Sequence, residues 1–230
     1  MGKVKIVTGY IPIETPHRSV QEYRQLGMRL KAVPVPMQVF DEWPLAACWM
    51  NKFLHQRMIK QQQIGHAVGD NPGKNTMAYH VVQHQKIDWL RHAANLDPYQ
   101  NMYVWIDYGI FSLPGVTRDI IVEFCERLAD EERICIPGCW PGGPLGAPNW
   151  PDDKINWRFC GSVLACPGEL VHKLDFLIKE RARHDIYRTH AATWEVNTWA
   201  KVERENSSLP IHWYPADHNA TLFTGYRGPR

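Results

Sequence analysis

The sequence predicts an α/β protein, a sheet with helices packed on it, and three observations carry that expectation. Val4–Thr8, a helical stretch from Ser19 to Leu30, and Met37–Phe40 follow one another as strand, helix, strand, the order of a parallel right-handed crossover. Met102-Tyr-Val-Trp-Ile106 is a run of aromatic and β-branched residues between turn signals, the pattern of a strand covered on both faces. The alternation then resumes, with a helix at Arg118–Asp130 and a strand at Arg133–Ile136.

Each element has a local reason. Gly9-Tyr10-Ile11-Pro12 turns the chain after the first strand, and Pro12 and Pro16 keep the loop to Arg18 extended. Ser19 with Glu22 forms a capping box ahead of Val20, Tyr23, Leu26 and Leu30, which recur at helical spacing. Pro34 and Pro36 end that helix. Residues 45–96 are mostly helical: a polar, basic segment from Met50 to Gln63, a loop at Gly69–Gly73, then a helix from Thr76 to Ala94. That last helix buries Tyr79, Val82, Ile87, Leu90 and Ala94. Residues 137–154 hold too much Gly and Pro for regular structure. They read either as a lid or substrate-binding loop carrying Trp140 and Trp150, or as a surface excursion with two packed Trp.

Further on, Trp157–Gly161 reads as a strand into a Gly turn and Gly168–Ala182 as a helix. Thr189–Val202 reads as a helix capped by Thr193, Ile211–Tyr214 as a strand, and Pro215–Thr221 as a polar loop. No repeat, low-complexity tract or linker divides residues 1–230, so one domain is expected.

Composition narrows the functional classes. The chain is 44% hydrophobic and 22% charged, as ordinary globular proteins are. A net charge of +2 and a pI near 8.2 make no electrostatic case for nucleic acid. A local patch from Lys52, Arg57 and Lys60 could grip a strand, or be a solvated helix face. Ten Trp, nine Tyr and eleven His are a heavy load that serves a core and also stacks on sugars and bases. No apolar run approaches the roughly 18 residues that span a bilayer. The N-terminus has no apolar signal core, and Ile6 stands where a myristoylation start needs Ser or Thr, so a cytoplasmic protein is expected. The six cysteines are then most simply free thiols. Cys135 and Cys139 with Cys160 and Cys166 have looser spacings than zinc knuckles use, and Pro137-Gly138 already accounts for the first loop.

Three polar groups stand out by position. Asp107 ends the central strand, where open α/β sheets bind ligands, and Gly109 follows it closely; the alternative is an Asp that caps the next segment. Glu195 lies near a helix start between two Trp, where its pKa could rise toward that of a general base, or where it is only a charge favoured by the helix dipole. His218 stands in the C-terminal loop beside Asp217, as a metal ligand or a loop hydrogen-bonder. One carboxylate and one imidazole, completed by phosphate oxygens and water, suit Mg2+ or Mn2+.

The chain resembles the bacterial HtrL/YibB-type family and related nucleotide-diphospho-sugar transferases of the GT-A fold. The residues that carry the resemblance are Ile6-Val-Thr-Gly-Tyr10 with Arg18 and Tyr23, Lys86, Trp105-Ile-Asp-Tyr-Gly-Ile110, Phe159-Cys-Gly161, Trp194-Glu-Val-Asn197 and Trp213-Tyr-Pro-Ala-Asp-His-Asn219. The resemblance implies one GT-A-like (Rossmann-like) domain with a mixed, mainly parallel sheet flanked by helices. It implies a hexosyltransferase using a nucleotide-diphosphate sugar, a UDP-sugar such as UDP-glucose, with Mn2+ or Mg2+. Thr8, Gly9, Tyr10, Trp105, Asp107, Tyr108 and Gly109 would line the donor site, with Arg18 or Lys86 neutralising the diphosphate. Trp194, Gly161 and Asp217 would face the acceptor, Asp107 and His218 would address the metal, and Glu195 would take the acceptor's proton. The family's acidic motif has two Asp separated by one residue, whereas this chain has Asp107-Tyr108-Gly109, without the second carboxylate. The acceptor would be a saccharide or a hydroxymethylated base in DNA. A non-catalytic sugar- or nucleotide-binding module on the same fold is the alternative.

Overall fold

The computed structural model describes residues 4–13, 18–56, 63–64, 74, 76–141 and 155–229. Pro16, Arg57, Lys60, the Gly69–Gly73 loop and residues 142–154, with Trp150, lie outside the described residues. Six strands form one mixed sheet: β1 (Val4–Tyr10), β2 (Met37–Asp41), β4 (Met102–Ile106), β5 (Ile134–Gly138), β6 (Val163–Pro167) and β8 (Ile211–Pro215). The strand order is β2-β1-β4-β6-β5-β8. Every neighbour pair is parallel except the two that β6 makes, with β4 and with β5. The fold is therefore α/β with a mixed, mainly parallel sheet, as the sequence predicts. A two-stranded ladder pairs β3 (Gln63–Ile64) with β7 (Ala191–Ala192).

The sheet separates two cores because successive side chains point to opposite faces. Tyr103, Trp105, Leu164 and Ile136 go to one side, with α2 (Trp49–Gln56), α3 (Met77–Leu96), α5 (Gly168–Thr189) and α6 (Glu195–Glu205). Met102, Val104, Ile106, Val163 and Cys135 go to the other, with α1 (Val20–Lys31), α4 (Arg118–Arg127) and α7 (Thr221–Thr224). Helix α1 starts as expected: Ser19 accepts from the Glu22 amide, and the Glu22 carboxylate accepts from the Ser19 amide at 2.6 Å. No described helix is long and apolar enough to cross a membrane.

Four expectations need correction. Trp157–Gly161 is a turn, not a strand: the Cys160 amide donates to the Pro137 carbonyl, and the strand comes after it at β6, buried on both faces. Helix α5 runs past Ala182 to Thr189 and stops at His190, whose φ of 52° is left-handed. Helix α6 then begins at Glu195 with Trp194 as its N-cap, so Thr193 is not the cap. Its carbonyl instead meets the ring nitrogens of His80 at 3.3 Å and His84 at 3.0 Å. Among the described residues the basic segment is helical only to Gln56, and Gln63–Ile64 is a strand.

Candidate active site

Strand β1 has β2 on one side and β4 on the other, so the chain reverses its direction of growth between β1 and β4. Open α/β sheets bind ligands at the carboxyl edge of such a switch point. A pocket of about 240 Å3 opens there. Gly9 and Tyr10 from the end of β1, and Asp107, Tyr108 and Gly109 from beyond β4, line it. Because β6 runs antiparallel, its entry, Gly161 and Ser162, lies at the same edge, and the Asp107 amide donates to the Ser162 carbonyl at 2.9 Å. Helix α3 adds Tyr79 and Lys86, and the start of α6 adds Trp194 and Glu195.

The floor is a buried ion network. Lys86 Nζ lies 2.9 Å from Glu195 Oε1, 2.9 Å from the Gly161 carbonyl and 3.2 Å from Asp107 Oδ1. The Lys86 and Glu195 side chains are 5% and 3% exposed, against 33% for Asp107. Asp107 Oδ1 also accepts from Trp105 Nε1 at 2.8 Å, and Trp105 stacks on Trp89. Burial works against the Lys86 ammonium, but Asp107 and then Glu195 outweigh it and raise its pKa. For Glu195 burial again opposes charge, and the Lys86 ammonium reverses it, so its pKa falls below the ordinary value. The expected upward shift is therefore corrected: Glu195 is not alone among aromatics but ion-paired. Its Oε2 is buried with no hydrogen-bond partner among the described residues. Gly161 permits the arrangement, because a Cβ there would stand 2.2 Å from Glu195 Oε1.

The walls are aromatic and cationic. Tyr10 stacks between Tyr23 and Tyr108, with centroids 5.5 and 5.1 Å away. The Arg18 guanidinium lies 5.8 Å from the centre of the Tyr23 ring. Lys74 lines the same pocket, its pKa lowered by burial and then by Arg18. Trp194 packs edge-on against Tyr79.

The structure thus brings together Gly9, Tyr10, Arg18, Lys86, Trp105, Asp107, Tyr108, Gly109, Gly161, Trp194, Glu195 and His218. Two expected residues are elsewhere. Thr8 is fully buried within β1, and Asp217 is an exposed side chain that faces His218 and Cys139. Lys86, expected to neutralise a diphosphate, already directs its three donors at protein oxygens. Lys74, Tyr79 and Trp89 were not anticipated. For Lys74 the signal is its place in the sequence, between Pro72-Gly73 and the Thr76 cap of α3.

A resident Mn2+ or Mg2+ would need several oxygen ligands. Asp107 and Glu195 are the carboxylates among the described lining residues, and both are paired with the Lys86 ammonium. His218 stands against Trp157, Asp217 and thiols rather than a second carboxylate in the pocket. The pocket thus offers a hard cation one partly exposed carboxylate, Asp107, and its further oxygen ligands would come from phosphate and water.

The chain matches no protein-family model and no curated protein. One similar solved structure is described as a glycosyltransferase involved in the glycosylation of the major capsid of PBCV-1. It shares 10% identity over 93% of this chain and 81% of its own, with a TM-score of 0.48.

Proposed function

We propose that the whole chain is one GT-A-like glycosyltransferase domain that moves a hexose from a nucleotide-diphosphate sugar, a UDP-sugar, to a saccharide hydroxyl. The observation that carries the reading is the Asp107–Lys86–Glu195 network on the floor of a switch-point pocket walled by stacked tyrosines and two cations. Those parts answer the demands of glycosyl transfer. Tyr10, Tyr23 and Tyr108 offer aromatic faces to a base. As the anomeric C–O bond breaks, negative charge grows on the leaving diphosphate, and Lys74 and Arg18 compensate it in place of a protein-held Mn2+ or Mg2+. Glu195 stays ionised because Lys86 holds it so, and its unpartnered Oε2 takes the acceptor hydroxyl's proton. Asp107, fixed by Lys86 and Trp105, orients the donor. Trp194 and Gly161 border Glu195 on the acceptor side.

A saccharide is favoured over a DNA base because a net charge of +2 and a pI near 8.2 make no strong electrostatic case for nucleic acid. The test is Glu195→Gln, assayed for transfer and for donor binding. Loss of roughly 100- to 10,000-fold in transfer with donor binding retained is expected; full transfer by a folded variant refutes the base assignment. Donor binding without turnover on saccharide or DNA would identify a binding module instead. Activity that disappears with a chelator and returns with Mn2+ would overturn the assignment of Lys74 and Arg18.

A further inference from the structure

Beside the pocket, three chain segments end together with a different chemistry. Cys139 directly follows β5, Cys160 precedes the entry to β6, and His218 lies beyond β8. Strands β5 and β8 are parallel and in register to Gly138 and Pro215. The Cys139 amide donates to the Trp157 carbonyl at 3.0 Å, the Cys160 amide to Pro137 at 2.7 Å and the Ala216 amide to Gly138 at 3.0 Å. The three backbones are therefore fixed relative to one another by the sheet edge. The Cys139 and Cys160 sulfurs are 3.5 Å apart, and the sulfurs and a ring nitrogen of His218 all lie within 4.8 Å of one another. With Zn–S near 2.3 Å and Zn–N near 2.0–2.1 Å, a tetrahedral ion separates its ligands by roughly 3.5–3.8 Å.

We propose that Cys139, Cys160 and His218 bind a thiophilic divalent cation of the zinc class at the rim of the pocket. Two sulfurs and an imidazole select such an ion over Mg2+ or Mn2+. Asp217 Oδ1, 3.7 Å from Cys139 Sγ and 3.4 Å from His218 Nδ1, is the adjacent carboxylate that steadies the ligands. Binding releases two protons to solvent, one from each thiol, and leaves a fourth position for water. The ion ties the loop after β8 to the β5 and β6 ends, which places His218 at the pocket wall. His218 thus serves this site, and not a hard-cation site with Asp107.

The test uses the full chain, reduced, freed of metal with a chelator and titrated with Co2+. One equivalent should produce thiolate-to-cobalt charge-transfer absorption, and one equivalent of Zn2+ should abolish it. Cys139→Ser and His218→Ala should each weaken Co2+ binding by more than about 100-fold, beyond the loss of an outer-shell partner. Cys48→Ser, in the core on the other side of the sheet from Cys160, should leave the spectrum unchanged. His218→Ala keeps both thiols and serves if Cys139→Ser does not fold. No charge-transfer band in the wild type, an unaltered band in a folded Cys139→Ser or His218→Ala, or a Cys139–Cys160 disulfide that persists in reductant would overturn the proposal.

Discussion

Replacing Lys86 with Met keeps an unbranched side chain and removes the one charge that Glu195 and Asp107 share. Glu195, 3% exposed, then has no compensating ammonium. It must take up a proton to stay buried. At pH 7, protonating a carboxylate whose ordinary pKa is about 4.3 costs roughly 1.36 × 2.7, or about 4 kcal/mol. That agrees with the roughly 3–5 kcal/mol lost when a buried pair is broken from one side. Asp107 is one-third exposed and adds less, because solvent screens it. The pH dependence is the diagnostic part. In the wild type the folded pKa of Glu195 is depressed, so its contribution is present above the unfolded value and is lost as pH falls through the folded one. In Lys86→Met the folded pKa is raised, so the penalty grows as pH rises above the unfolded value. Acidification from pH 7 toward 5 should therefore restore about 1.4 kcal/mol per unit to the variant and nothing to the wild type. Urea unfolding at pH 5, 6, 7 and 8 measures both slopes, and Lys86→Met/Glu195→Gln should recover most of the loss. A destabilisation at pH 7 below about 1 kcal/mol, or equal slopes in the two proteins, would refute the ion-pair account.

Three further outcomes follow from the same geometry. Gly161→Ala sets a Cβ 2.2 Å from Glu195 Oε1 and 3.2 Å from Lys86 Nζ. It should cost about 1–3 kcal/mol in urea unfolding and most of the transfer activity, and unchanged values would contradict the close approach. Lys74→Ala removes a charge-assisted contact and should weaken UDP binding about tenfold by calorimetry, with less effect at high salt; an unchanged Kd would remove Lys74 from the diphosphate site. Ser19→Ala breaks the α1 capping box and should lower stability by about 1 kcal/mol with UDP binding intact, which unfolding and calorimetry together would show.

What could be read from the sequence was what local pattern determines. The Ser19–Glu22 box and the Met102–Ile106 strand are properties of short windows, and both stand in the structure at the residues expected. Asp107 and Glu195 were legible because the ends of strands and the starts of helices are where sheets present polar groups. Lys86 was expected at the site through the resemblance, but not as their shared partner, since Lys86 and Glu195 are 109 residues apart and nothing local marks Lys86 as turned inward. That omission reversed the expected pKa shift of Glu195. Trp157–Gly161 and Val163–Pro167 have similar strand signals, and only pairing with β4 chooses between them. The Cys139, Cys160 and His218 cluster escaped the spacing rule because its third ligand is a histidine delivered by another strand.

The most direct measurement is the melting temperature of the protein against a panel of nucleotide-diphosphate sugars, each with and without Mn2+. A donor present at about 100 times its Kd adds about 2.7 kcal/mol to the folded state, roughly 5–10 °C for a chain of this size. The account predicts such a shift with one UDP-sugar, undiminished without Mn2+ and much reduced in Lys74→Ala. No shift with any donor on the folded protein would contradict it.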